Sequence, residues 1–236
     1  MKKTILKVHN FIGKKYLNPM LNLEQRKRPF PIINERPAEY AFSFKHLQNL
    51  CVGKVLDIGP GKSSWPHLLS TCGYDVTAID KIDGYWSSYI NRHYKIINDD
   101  ITNPKLNGKF QFATCLSVLE HIPHHRLAIT NIHNLLNKSG YLLLTFPYNE
   151  TEYHEDIYRD PEAGYGKDES FITQIYSRNE INDWIGDTSF KIIDQEYYKV
   201  FSGKFWTMGE RVTPSLKVEK TDLHHLTCLL LQKTDD

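Results

Sequence analysis

Apolar and polar positions change rhythm along the chain, and the changes mark its parts. From Lys54 onward, short apolar runs bounded by turn residues alternate with stretches of helical spacing. The runs at 55–58, 75–79, 94–97, 110–116 and 141–146 predict five strands. Trp65, Leu68, Leu69 and Cys72 predict a helix after the first strand. Leu127, Ile129, Ile132, Leu135 and Leu136 predict another after the fourth, ending at Asn137-Lys138-Ser139-Gly140. Strands that alternate with helices form parallel βαβ units, with helices on both faces of one sheet.

The two ends read differently. Residues 1–30 carry Lys2, Lys3, Lys7, Lys14, Lys15, Arg26, Lys27 and Arg28 against one acid, Glu24. Ile5, Val8, Ile12 and Tyr16 fall near one helical face, so a basic amphipathic helix is expected. It packs on the domain, makes a weak contact with an anionic membrane surface or grips an acidic partner. A proline-rich linker (Pro29, Pro31, Pro37) comes next, which should not be regular helix. Residues 39–50 resume helical spacing through Tyr40, Phe44, Leu47 and Leu50 as a cap. Beyond the fifth strand comes a polar and aromatic insertion, 147–176. A helix over 177–185 then starts on a capping box, Ser177 with Glu180. Runs at 191–199 and 226–231, joined by a loop over 200–225, predict two strands able to pair antiparallel. The expected division is an arm and cap over 1–50 and a main domain over 51–236, with substrate insertions at 147–176 and 200–225.

Composition narrows the class. A chain of 236 residues can bury one large core. A net charge of +1 gives no support to a nucleic-acid binder, which would carry a clear basic excess. Cys51, Cys72, Cys115 and Cys228 are scattered, with no C-x-x-C pair, as expected of buried thiols in a reducing cytoplasm. No apolar run approaches the ~20 residues of a membrane span. Lysines interrupt the residues after Met1 and no small-residue cleavage site is present, so a cytoplasmic location is expected.

The candidate chemistry lies where strands end. Val55-Leu56-Asp57-Ile58 breaks into Gly59-x-Gly61, a strand running into a tight turn that lets backbone approach a ligand. Asp80 ends the second strand about 20 residues after the glycines. A carboxylate there accepts hydrogen bonds from ribose hydroxyls, or else caps a helix. Asp100 after the third strand could accept from an exocyclic amine, or start a turn before Pro104. Ser64 stands where a nicotinamide-binding turn has its third glycine. Asp57 inside the strand would repel a pyrophosphate but suits a cationic ligand.

Asp57-x-Gly59-x-Gly61, Asp80, Asp100-Ile101 and Ser117-Val118-Leu119-Glu120-His121-Ile122 together resemble the class I S-adenosylmethionine-dependent methyltransferases over residues 50–150. The resemblance implies an α/β fold: a Rossmann-like doubly wound sheet, mostly parallel with an antiparallel last strand, and an N-terminal helical cap. It implies S-adenosyl-L-methionine as cofactor, with the Gly59–Gly61 turn at the methionine part and Asp57 nearby. Asp80, with Lys81 beside it, falls at the ribose, Asp100 and Ile101 at the adenine, and Leu116-Ser117 near the sulfonium. Lys62-Ser63 departs from the small residue common in the family. Residues 34–40 resemble methyltransferases of surface polysaccharide pathways, which suggests a small molecule or glycan precursor as acceptor and a role in polysaccharide biosynthesis.

Such a cofactor carries an activated methyl group, so the protein's task is alignment and removal of the acceptor's proton. Candidate bases are His121 first, then Glu120, His154 and Tyr148; His121 could equally bond to backbone at a helix start. Glu120-His121-x-x-His124-His125 matches no zinc spacing, so no metal is expected. Tyr148, Tyr153, Tyr158, Tyr165 and Tyr176, with Tyr197, Tyr198, Phe205 and Trp206, could wall an acceptor pocket or fill core. DNA-adenine methylation is disfavoured because strand four ends in Cys115-Leu116-Ser117-Val118, with no acid or Asn followed by two prolines and an aromatic. A NAD-dependent oxidoreductase and a non-catalytic methyltransferase-like subunit are the alternatives.

Overall fold

The computed structural model describes residues 2–17, 19, 33–50, 53–81 and 96–234. The basic cluster Arg26-Lys27-Arg28, the linker prolines Pro29 and Pro31, Cys51 and the start of the predicted third strand lie outside the described residues. Two compact units divide at Asn34, Met1–Asn34 and Glu35–Asp236. The smaller unit holds helix α1 (Lys2–Ile12), continued by a π-turn over Gly13–Leu17.

Helix α2 (Arg36–Leu47) opens the larger unit, earlier than the expected boundary after residue 50. Phe42 and Leu47 tie it to that unit by burial against Val55, Trp65 and Leu69. Pro37, expected in a linker, lies instead in the first turn of α2. A missing N–H costs nothing there, and the fixed φ favours helix.

Among the described residues the sheet has eight strands, in the order β3-β2-β1-β4-β5-β8-β6-β7. β1 (Lys54–Ile58), β2 (Asp75–Asp80), β3 (Ile96–Asn98), β4 (Phe110–Leu116) and β5 (Leu136–Pro147) run parallel. β8 (Leu226–Lys233) inserts antiparallel between β5 and β6 (Phe190–Phe201), as the two terminal runs predicted. The expected loop over 200–225 contains a further strand, β7 (Arg211–Val218), antiparallel to β6 at the sheet edge. Its Pro214 and its half-exposed pattern hid it from a periodicity reading, and an edge strand tolerates both.

Helices cover both faces, because the central strands are apolar on both sides. α4 (His125–Leu135) and α5 (Arg178–Asp187) bury Ala128, Ile129, Ile132 and Trp184 against Leu142, Leu144 and Leu229. α2 and α3 (Trp65–Thr71) bury Phe42, Trp65 and Leu69 against Phe112, Leu143 and Leu230. The capping box is present: Ser177 accepts from the first turn of α5 and Glu180 accepts from the Ser177 N–H at 2.7 Å. With five strands parallel, their carboxyl ends open on one edge of the sheet, where ligands of such folds lie.

Candidate active site

Glycine is required in the turn after β1. Gly59 has φ +67° and Gly61 φ +53°, a region that side chains with a Cβ rarely adopt. A Cβ on Gly59 would also lie 2.4 Å from Cγ1 of Val118. The Gly59 N–H donates to Ile79 at 2.8 Å, and the Gly61 N–H donates to Oδ2 of Asp80 at 2.8 Å. Asp80 therefore braces the turn directly. Burial pushes its pKa up, against the N–H groups of Gly61 and Lys81.

Asp57 lies beneath this turn, 2% exposed. Burial pushes its carboxyl up to about 7, although the Thr114 hydroxyl donates to Oδ1 at 2.6 Å. Its Oδ2 has no hydrogen-bond partner among the described residues. A buried carboxylate oxygen left unpaired is costly, and a cationic group at the turn would satisfy it. The donor set thus fits a positively charged, nucleoside-bearing cofactor.

The remaining cofactor candidates separate into two groups. Lys81 and Asp100 come together at 3.5 Å near the solvent edge. Asp100 Oδ1 also accepts from the Thr102 N–H and hydroxyl at 2.8 and 2.7 Å. Burial opposes its charge, yet Thr102 and Lys81 carry its pKa below the usual value. Ile101 is buried in the core, and its carbonyl accepts from Asn131. Leu116 and Ser117, by contrast, are held by α2. The Leu116 carbonyl accepts from Arg36 at 3.1 Å, and Ser117, at φ +50°, donates its hydroxyl to Glu39 at 2.5 Å.

Glu39 was not a candidate by sequence. It is wholly buried, and it also accepts from the Thr145 hydroxyl at 2.7 Å and from Arg36 at 2.8 Å. Burial works against the Arg36 charge, but Glu39 leads the carboxylates that raise its pKa. From the same helix, Tyr40 shares a hydrogen bond of 3.0 Å with Ser63 and stacks on Trp65 at 4.9 Å. One helix thus touches both the glycine turn and the end of β4. A signal existed: Glu39 shares the spacing of Phe42, Ser43 and Leu47, so an acid sat on the face that packs inward.

Glu120 and His121 form a short 3-10 turn, Leu119–His121, directly after β4. Burial pushes the Glu120 carboxyl up to about 8, with repulsion from Glu39 adding to the shift, and its Oε2 has no partner among the described residues. His121 Nδ1 lies 2.8 Å from the Ile172 carbonyl, so that nitrogen carries the proton. Burial lowers the pKa of His121 to about 4, which keeps the ring neutral. Its Nε2 lies 3.9 Å from Oε1 of Glu120. The insertion closes this side: the Gln174 amide donates to the Glu120 and Ile122 carbonyls, and Phe171 meets the His121 ring edge-on at 4.8 Å.

Residues 23–195 match the family model described as a methyltransferase domain, well over half of the chain. The chain belongs to this family. The matched span begins before α2, so the methyltransferase includes the cap helix that holds Ser117. Two curated relatives are ubiquinone biosynthesis O-methyltransferases. That of Pseudomonas aeruginosa strain UCBPP-PA14 is 29% identical over 100 residues, 39% of this chain and 43% of the relative. That of Glaesserella parasuis is 29% identical over 133 residues, 50% of this chain and 54% of the relative. The methyltransferase thus spans about half the length of these relatives. In fold it resembles a Burkholderia thailandensis 1,6-didemethyltoxoflavin-N1-methyltransferase solved with S-adenosylhomocysteine, at TM-score 0.57 and 15% identity over 99% of this chain and 90% of that one. The N-methyltransferase NodS of Bradyrhizobium japonicum WM9, also solved with S-adenosylhomocysteine, gives TM-score 0.54 and 12% identity over 85% and 88%.

The two other base candidates of the methyltransferase are engaged elsewhere. His154 bridges to Ile175 through its backbone and sets its ring against Phe205 at 4.3 Å. Tyr148 is buried, donates its hydroxyl to Glu150 at 2.7 Å and lies under Arg178. Burial and that hydrogen bond raise its pKa, so the phenol keeps its proton. Among the described residues, no three His, Cys, Asp or Glu side chains group as a metal site.

Proposed function

We propose that the chain moves a methyl group from S-adenosyl-L-methionine to a hydroxyl of a small molecule, a sugar-bearing precursor in particular. In this reading the Gly59–Gly61 turn and the unpaired Asp57 oxygen receive the cationic end of the cofactor, and Asp80, flanked by Lys81, receives the ribose. Asp100 and Ile101 border the base, and Leu116 with Ser117 borders the reacting methyl. The cofactor supplies an activated methyl on a positive sulfur. Everything else is done by the protein: it positions the acceptor and takes its proton.

The observation that carries the reading is Glu120. Burial raises this carboxyl to about 8 and leaves one oxygen unpaired among the described residues just beyond β4, so it becomes a general base for a hydroxyl as pH rises towards that value. His121, neutral and fixed by the Ile172 carbonyl, lies beside Glu120, with Nε2 3.9 Å from Oε1. This reverses the order expected by sequence. A hydroxyl needs such a base during transfer, whereas an amine that is already neutral does not. The rings of Tyr165 and Phe171 each lie 6.0 Å from that of Tyr158, surfaces suited to a sugar or aromatic ring. The O-methyltransferases among the relatives support oxygen as the acceptor atom.

The test is to incubate the protein with methyl-labelled S-adenosylmethionine and fractionated cell extract. Label should enter small-metabolite or glycan fractions as a methyl ether. Label confined to protein or RNA would sink the acceptor class, and stabilisation by NAD in place of S-adenosylhomocysteine would sink the cofactor.

A further inference from the structure

Helix α1 exposes an apolar face. Ile5, Val8, Phe11 and Ile12 are 57, 53, 66 and 50% exposed. At 100° per residue these four fall within an arc of about 120°, with Lys7 and His9 outside it. Tyr16, in the following turn, is 63% exposed, with the Lys15 ammonium 5.9 Å from its ring centre. The charge around this stripe has one sign. Residues 1–23 contain Lys2, Lys3, Lys7, Lys14 and Lys15 and no acid.

Exposed apolar side chains are ordinary singly, but a continuous stripe on a basic helix asks for a cover that is both apolar and negative. An anionic bilayer surface meets both requirements. The helix is too short to cross one: at 1.5 Å per residue it is about 16 Å long, against a hydrocarbon layer of about 30 Å. Among the described residues, no helix is long and apolar enough to span. We propose that α1 lies in the plane of an anionic membrane surface, with Ile5, Val8, Phe11 and Ile12 in the interfacial layer and the lysines against lipid phosphates. Tyr16, amphipathic and beside two lysines, sits at headgroup depth. The binding does not depend on which acceptor the catalytic site takes.

The test uses the full chain and sedimentation with vesicles, one set of phosphatidylcholine alone and one of phosphatidylcholine with an equal part of phosphatidylglycerol. The protein should pellet with the second set and stay in solution with the first. Raising salt from ~0.1 M to ~0.5 M should weaken pelleting, as screening requires. Lys7→Gln/Lys14→Gln/Lys15→Gln should weaken it about a hundredfold, at roughly fivefold per charge. Phe11→Glu/Ile12→Glu should abolish it. Both variants should keep the thermal stabilisation by S-adenosylhomocysteine, which reports an intact catalytic unit. No pelleting with the anionic set, equal pelleting with both sets, or variants that pellet like the parent would each overturn the proposal. So would a dimer in sedimentation velocity that Phe11→Glu/Ile12→Glu dissolves, since α1 would then cover a second copy.

Discussion

The proposed cofactor side and the proposed acceptor side of the site are built differently. Around the glycine turn the ties are mostly short: Gly61 meets Asp80 across 19 residues of chain and Asp100 meets Thr102 across two, with Asp57 to Thr114, across 57, the longer tie. The acceptor side gathers distant segments. Glu39 reaches Thr145 across 106 residues and Ser117, where the two sides meet, across 78, and Gln174 reaches Glu120 across 54. A turn that must admit a nucleoside leaves little freedom in its backbone, so its residues stand close in sequence. An acceptor pocket asks only that groups converge, and any element can deliver them.

The comparison breaks most sharply at Glu120. Glu120→Gln should lower the rate of methyl transfer about 10²–10⁴-fold and leave S-adenosylhomocysteine affinity unchanged, because it removes the base and no part of the glycine turn. A cofactor affinity that falls with the rate would merge the two sides. Next is Glu39→Ala, which leaves Arg36, Ser117 and Thr145 without their shared acceptor. Leaving these donors without their acceptor costs about 1–3 kcal/mol for each one buried, read by urea denaturation. Glu39→Gln keeps an oxygen for both hydroxyls and should cost less.

Gly59→Ala tests the cofactor side alone. A Cβ at positive φ costs about 1–2 kcal/mol, and crowding against Val118 adds about 1–3 kcal/mol. Gly59→Ala/Val118→Ala should recover only the crowding part of the lost melting temperature. Asp80→Asn should weaken S-adenosylhomocysteine binding by roughly tenfold to a hundredfold, the range of hydrogen bonds to a charged group, with a smaller effect on stability. Calorimetric titration distinguishes the two.

The smallest effect is on pH. Asp57 and Glu120 have folded pKa values, about 7 and about 8, above their ordinary 3.8 and 4.5. Their neutral forms therefore favour the folded state at low pH, and that contribution is lost as pH rises through the folded values. His121 and His225, lowered to about 4 from 6.5, act in the opposite sense but only below pH 6.5. Melting temperature should thus fall between pH 6.5 and 8, less steeply in Asp57→Asn. Over the same window kcat/KM should rise as Glu120 loses its proton. A flat rate profile would remove Glu120 as base.

The fold was largely legible, because apolar runs with turn residues between them leave few alternatives once helices must cover both faces. The capping box at Ser177 and the antiparallel pairing of β6 with β8 followed from local spacing. β7 did not, since an edge strand buries too little to print a period. In the turn after β1, Gly59 and Gly61 were readable because backbone conformation restricts residue type there. Glu39 and Arg36 were not, because an acid and a base three residues apart in a helix usually form a surface pair.

The order of the two bases illustrates the same division. The adjacent pair Glu120-His121 is plain in the sequence, and an ordinary histidine titrates nearer to neutrality than an ordinary glutamate. Burial reverses that relation by disfavouring charge on both groups, which lowers the imidazole and raises the carboxyl. Sequence alone determined which chemistry could stand at the end of β4. Only tertiary structure decided how each group titrates, because desolvation belongs to the packed neighbourhood, much of it contributed by segments far along the chain.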